Sequence, residues 1–230
     1  GIRVRDVPGV QTCALPIFEK LKQKACSRVP LVREVLADLD TPLSTYLKLA
    51  NTPYSYLFES VQGGEKWGRY SIIGLPCRKI VKINNRQITI EEDGVVVSDE
   101  QVADPLEWIT EFQKKYAQDE ADLDGLPRFT GGLVGYFGYE TIRYIEPRLE
   151  KNNKPDDLNT PDILLMLSEE VVVFDNLAGK LYLIVNVNPD DDDAFNQGQL
   201  RLDQLTQKLH EPVPSYKPLA HSRQISEDAF

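Results

Sequence analysis

The sequence predicts an α+β fold built largely of antiparallel sheets with flanking helices. Three observations predict it. Strand-like segments arrive in runs with few helices between them, which argues against an alternating parallel fold. Short turn-prone stretches such as Asn84-Asn85 and 176–179 join neighbouring strands as hairpins require. Only three segments combine helix-start chemistry with an apolar stripe.

In chain order, Thr41-Pro42 opens the first helix, with Leu43, Tyr46, Leu47 and Ala50 on one face. Thr is a good N-cap, and Pro suits the first helical position because its missing N–H would be unsatisfied there anyway. Strands follow at 54–60 and 69–75, then a hairpin of 79–83 with 87–91, and 95–97 continues the meander. Asp104-Pro105-Leu106-Glu107 starts the second helix: Asp104 caps, Pro105 sits at N1, and Glu107 at N3 is placed to reach back as in a capping box. Leu106, Ile109, Phe112 and Tyr116 form its apolar face. A glycine-rich strand is expected at 131–139, a polar loop at 151–161, and three more strands at 163–167, 171–174 and 181–187. The third helix is expected over 192–210, with Phe195, Leu202, Leu205 and Leu209 as its stripe. There is no internal repeat.

Composition narrows the function class. The chain has 230 residues and a formal net charge of −10. An acidic surface without clustered Lys and Arg argues against nucleic acid or an anionic membrane as partner. No apolar run approaches the length that spans a bilayer. The first residues do not read as a signal peptide, since Gln11, Thr12 and Pro16 interrupt the apolar stretch. Cys13, Cys26 and Cys77 are odd in number and fit neither a disulfide framework nor a CxxC metal site, so a reducing, cytoplasmic setting is expected. His210 and His221 are the only histidines, which leaves no basis for a His-based metal cluster or a Ser-His-Asp triad. Residues 1–17 show no periodicity, and Met166 is the only methionine; that stretch is read as a non-native or disordered leader. Residues 211–230 read as a linker followed by the start of a helix.

Four segments carry polar groups worth weighing. In Tyr56-Leu57-Phe58-Glu59-Ser60, alternation puts Leu57 and Glu59 on one face and Phe58 and Ser60 on the other. A strand-end Glu is ordinarily solvated; a buried one needs a partner such as a ligand ammonium. Arg69 and Ser71, beyond the Gly63-Gly64 turn, are suited to a small carboxylate, although a surface hairpin explains them equally. The glycines of 131–138 require something to approach the backbone closely, either a ligand or another sheet, and close sheet packing is the simpler cause. Their spacing is not that of a dinucleotide fingerprint. The Asp190–Asp193 run lacks the spaced ligands of a calcium loop and fits the start of a helix, where acidic residues complement the dipole.

Taken in order, Val29-Pro30-Leu31-Val32-Arg33-Glu34, Asp40-Thr41-Pro42-Leu43-Ser44, Leu57-Phe58-Glu59-Ser60, Gly64-Glu65-Lys66-Trp67-Gly68-Arg69-Tyr70-Ser71 and the 131–139 strand resemble component I of anthranilate synthase, a chorismate-utilising enzyme. The resemblance spans 18–230 and covers the amino-terminal region of that family. It implies a lyase of tryptophan biosynthesis that converts chorismate and ammonia to anthranilate and pyruvate. It also implies a glutamine amidotransferase subunit as partner, Mg2+ as cofactor and tryptophan as feedback inhibitor. By resemblance, Leu57, Glu59 and Ser60 line the tryptophan site, with Glu59 at the ligand ammonium, and Arg69, Tyr70 and Ser71 border it. Phe58 departs from the family's commoner Leu. The same resemblance puts the catalytic groups and the magnesium ligands in a carboxy-terminal half beyond these residues. No catalytic or metal-binding residue is therefore assigned here, and the fragment is expected to be inactive. Domain organisation follows: a leader at 1–17, a regulatory and scaffold domain at 18–210, and a linker at 211–230. Two alternatives are weighed. Aminodeoxychorismate synthase component I commonly carries Asp-Ser in place of Glu59-Ser60, and Asp in place of Ser71. A stand-alone amino-acid-binding module is the other.

Overall fold

A computed structural model describes residues 18–19, 21–22, 27–37, 40–61, 67–116, 127–149 and 159–215. The expectations for the leader at 1–17, for most of the 151–161 loop and for 216–230 lie outside these residues.

Among the described residues, ten strands form two five-stranded antiparallel sheets, flanked by helices. The strands are β1 (Val29–Leu36), β2 (Tyr56–Val61), β3 (Trp67–Gly74), β4 (Lys79–Asn84), β5 (Gln87–Glu92), β6 (Val95–Gln101), β7 (Gly132–Phe137), β8 (Ile163–Ser168), β9 (Glu170–Asp175) and β10 (Lys180–Val187). The α-helices whose bounds lie within the described residues are α1 (Pro42–Leu49), α2 (Pro105–Lys114), the single turn α3 (Ile142–Ile145) and α4 (Ala194–Leu209). The first sheet runs β1-β10-β9-β3-β2, the second β6-β5-β4-β8-β7. The chain passes from the first to the second between β3 and β4 and returns through Glu169 between β8 and β9. The α+β fold with antiparallel sheets is as predicted.

Helices α1 and α2 begin at side-chain caps. Thr41 accepts from the Ser44 amide while the Ser44 hydroxyl accepts from the Thr41 amide, a reciprocal box that satisfies two donors left over at the helix end. Asp104 caps α2 by accepting from both Leu106 N and Glu107 N, so its carboxylate does the capping without help from the Glu107 side chain. In α4 the acidic run precedes the helix as expected, but Asp193 is in the left-handed region (φ 59°) and makes no side-chain cap bond.

Strand β1 is absent from the periodicity reading, and the reason is physical. Its first five residues are all buried, so no alternation marks it. Pro30 also argues against a strand, yet among the described residues β1 is an edge strand paired with β10 alone, where a missing N–H costs no ladder bond. The 131–139 strand is shorter than expected: it ends at Phe137, and Tyr139–Thr141 form a 3-10 turn.

One core layer lies between the first sheet and the helices, joining Leu31, Ile73, Phe174, Leu181 and Leu183 to Leu202, Leu205 and Leu209 of α4. Helix α4 comes very close there: a Cβ on Gly198 would lie 2.4 Å from Leu31 Cδ1. A second layer packs Ile109 and Phe112 of α2 on Val81, Ile83, Ile88, Ile163 and Leu165. Tyr56, Ile80, Val134 and Met166 bring the two sheets together, and within that cluster the Tyr56 hydroxyl bonds Ser168 Oγ at 2.8 Å, fully buried.

Candidate functional site

The six residues singled out for ligand contact lie on one strand pair, β2 with β3. Strand β2 is the outer strand of its sheet, and β3 bridges it to β9. Register puts Leu57 opposite Ile73 and Glu59 opposite Ser71, so Leu57, Glu59 and Ser71 share a face. Leu57 packs against the helix-side core there. Phe58 falls on the other face, its ring 4.8 Å from that of Tyr56, as the alternation predicts. A register shift follows Glu59 and leaves Ser60 out of the regular ladder. Tyr70 takes the face opposite Ser71 and packs with Val171, Val173 and Ile184. The pair therefore displays the candidates on two faces.

Their environments differ. Glu59 is exposed and makes no hydrogen bond or ion pair among the described residues. Ser71 is buried, and its Oγ accepts from Asn176 Nδ2 at 3.2 Å. Arg69 stays more than half exposed, with its guanidinium 4.8 Å from the centre of the Tyr70 ring. Its Nε and Nη2 donate to Asp175 Oδ2 at 3.2 and 2.9 Å. The bond to Asp175 raises the Arg69 pKa further.

Asp175 and Asn176 are absent from the sequence-based candidates, although 176–179 is correctly predicted as a turn. Asp175 closes β9 and is only 3% exposed. Its Oδ1 accepts from the backbone amides of Leu177 and Ala178 at 3.1 Å each, the Asx pattern of a hairpin end. Burial pushes its carboxyl pKa up, but the Arg69 bond and the two backbone amides outweigh that and hold it below the usual range. Asn176 ties the turn to β3: its backbone N donates to Arg69 O at 2.8 Å and its Nδ2 to Gly68 O at 3.1 Å. The only local signal was an Asp-Asn pair before a glycine-containing turn, which specifies the turn and says nothing of β3.

Other clusters lie elsewhere. A cavity of about 640 Å³ opens beside the β8–β9 crossover and α4, lined among others by Cys77, Glu169, Glu170 and Arg201. Burial, together with Glu169 and Glu170, pushes the Cys77 thiol up to about 11. The glycine-rich strand is explained by its neighbour: a Cβ on Gly135 would lie 1.9 Å from Leu164 O of β8, so the close approach comes from an adjacent strand of the same sheet. Among the described residues, no group of three or more His, Cys, Asp or Glu side chains is placed to hold a metal ion, and no helix is long and apolar enough to cross a membrane.

Comparison with known proteins gives a consistent result. A family model described as chorismate binding enzyme matches residues 54–230. Anthranilate synthase component 1 of Pseudomonas aeruginosa is 51% identical over 214 residues, which cover 93% of this chain and 43% of that protein. The protein of the same name from Pseudomonas putida is 55% identical over 196 residues, covering 85% of this chain and 39% of that one. The crystal structure of anthranilate synthase component I from Streptococcus pneumoniae TIGR4 has a TM-score of 0.49 and 22% identity, covering 78% of this chain and 37% of that chain. The chain thus spans about two fifths of the length of the curated relatives it matches.

Proposed function

Since this chain belongs to the chorismate binding enzyme family, we propose that it is the amino-terminal, tryptophan-sensing part of an anthranilate synthase component I. The observation that carries this reading is identity of about half to proteins of that name across most of the chain. The whole enzyme converts chorismate and ammonia to anthranilate and pyruvate in the cytoplasm. A glutamine amidotransferase subunit supplies the ammonia, and a carboxy-terminal half supplies the chorismate pocket and Mg2+. Mg2+, held by residues of that carboxy-terminal half, would supply positive charge for the substrate carboxylate. The residues described here contribute regulation and scaffold.

In this proposal tryptophan rests against β2 and β3. The Glu59 carboxylate, exposed and without a protein partner among the described residues, takes the ligand ammonium. Ser60 stands next to the register shift, where the ladder opens. Leu57, Arg69, Tyr70 and Ser71 shape the surroundings. Binding favours one arrangement of the two halves over another, and inhibition is the free-energy difference between them.

In the full-length enzyme, Glu59→Ala or Ser60→Ala is expected to weaken tryptophan inhibition while leaving uninhibited turnover intact. Unchanged inhibition in both variants overturns the assignment. The 230-residue chain alone is expected to produce no anthranilate from chorismate, and measurable product from a clean preparation refutes that part.

A further inference from the structure

We propose that the free edge of β7 is where the carboxy-terminal segment of the full-length protein, the part that follows residue 230, adds a strand to the second sheet, and that the same segment covers Tyr139, Ile142, Ile145 and Leu149. The inference rests on the reading of this chain as the amino-terminal part of a longer enzyme, and it assigns the surface by which that part joins the rest.

The sheet edges differ in kind. Among the described residues the outer strands are β1 and β2 of the first sheet and β6 and β7 of the second. An outer strand presents unpaired N–H and C=O groups, and folded proteins guard such edges with proline, charge or a bulge. Strand β1 carries Pro30, Arg33 and Glu34. Strand β2 carries Glu59 and a register shift directly after it. Strand β6 exposes Val95, Val96 and Val97, but it also carries Asp99 and Glu100 and is offset from β5 by a register shift. Strand β7 reads Gly-Leu-Val-Gly-Tyr-Phe, with neither proline nor charge, and it pairs with β8 in unbroken register. Of these four edges only β7 is unguarded.

Apolar side chains gather at the same place. Tyr136 and Phe137 take opposite faces of β7, and both are exposed. Beyond the strand, Tyr139 is 91% exposed, Ile145 64% and Leu149 41%. Single exposed apolar residues are ordinary, whereas a concentration of them marks an interaction surface. The segment is held in place by its own bonds. Gly138 N donates to Asp162 O at 2.7 Å, the Tyr144 hydroxyl donates to Asp162 Oδ2 at 2.7 Å, and Arg143 pairs with Glu140. Its polar groups are thus satisfied from within while its apolar ones face outward, so docking has little order left to impose.

Length and geometry select the occupant. The chain covers 43% and 39% of its two Pseudomonas relatives, so the larger part of a protein of that length lies outside it. A second copy fits less well. Two β7 edges related by a two-fold axis run antiparallel, which sets the two 138–149 segments at opposite ends, where neither covers the other. One longer segment can both add the strand and continue over the turn that follows it.

The test is hydrogen–deuterium exchange of the full-length protein, with rates corrected for sequence. The β7 amides that do not bond β8 should exchange at least about tenfold more slowly than the unpaired amides of β6, the internal reference for an open edge. In the 230-residue chain, which holds both helix-covered core layers, the two edges should exchange alike. Ile145→Glu in the full-length protein should return the β7 amides toward fast exchange, and Leu177→Glu, at an exposed leucine outside the patch, should leave them unchanged. If Ile145→Glu does not fold, Tyr139→Ser serves in its place. Equal exchange at β6 and β7 in the full-length protein overturns the proposal. So does β7 protection in the 230-residue chain that grows with concentration, since the occupant is then a second copy. Protection indifferent to the patch variants overturns the assignment of Tyr139, Ile142, Ile145 and Leu149. A native protein whose mass ends at residue 230 overturns the amino-terminal reading and this inference with it, whereas a longer protein with an open β7 edge overturns this inference alone.

Discussion

Gly135→Ala is expected to destabilise the protein strongly, and the size follows from one contact. The new Cβ would lie 1.9 Å from Leu164 O, 2.8 Å from Leu164 C and 3.0 Å from Leu165 Cα. All three atoms are backbone, so no side chain can rotate away. Relief requires β7 and β8 to part by about 1 Å at the Gly135–Leu165 rung. Overpacking of this kind costs about 1–3 kcal/mol, and each ladder bond strained or lost adds about 1 kcal/mol. The expected loss is therefore about 3 kcal/mol, or on the order of 10 °C in Tm for a chain of this size. Urea denaturation followed by intrinsic fluorescence measures it. Gly179→Ala is the control: that glycine is left-handed (φ +64°) with open space around its Cβ, so only the backbone cost of about 1 kcal/mol applies. Equal losses in the two variants, or a Gly135→Ala change below about 0.5 kcal/mol, would refute the steric account and reopen the question of why this strand is glycine-rich.

Other expectations follow from buried polar groups. Tyr56→Phe removes the buried bond between Tyr56 and Ser168 and should cost about 1–3 kcal/mol; adding Ser168→Ala should cost less than the sum of the two single changes, and strict additivity would deny the coupling. With its thiol pushed up to about 11, Cys77 should alkylate slowly at pH 8 and progressively faster toward pH 11, as peptide mass spectrometry would show; rapid modification at pH 8 contradicts the burial argument. The Asp175 carboxyl is held below its ordinary value, so the unfolded chain binds its proton more readily. Its stabilising effect is then present at neutral pH and fades as pH falls through the lowered pKa. Asp175→Asn should accordingly lower Tm most near pH 7, with the gap narrowing in acid; a gap that widens in acid has the wrong sign.

The candidate site was legible in parts. Leu57 and Glu59 were assigned one face and Phe58 the other because strand alternation is a property of the backbone alone, and that assignment holds for Leu57 and Phe58 in the core contacts. The reading of Glu59 as a solvated strand-end carboxylate also agrees with its exposure. Ser71 was placed beside a ligand without any sign that it is buried and bonded to Asn176. The glycine-rich strand was expected to meet another sheet, whereas at Gly135 it is Leu164 O of β8, the neighbouring strand of the same sheet, that approaches.

By itself the sequence determined what is local: the caps at Thr41 and Asp104, the pairing of 79–83 with 87–91 as a hairpin (its turn falling at Asn85-Arg86, one residue beyond the expected Asn84-Asn85), the turn at 176–179, the stripe of α4 and the ordered motifs that mark the family. These depend on residues within a few positions of one another, where period and side-chain chemistry act directly. The tertiary structure decided which face meets which. It made β1 a strand despite Pro30 by giving it an edge, joined Tyr56 to Ser168 across 112 residues, and set Asp175 behind Arg69. A strand's pattern says that one side must be covered but not by what. The partner is chosen by packing the whole chain at once, and Asp175 acquires its relation to β3 only then.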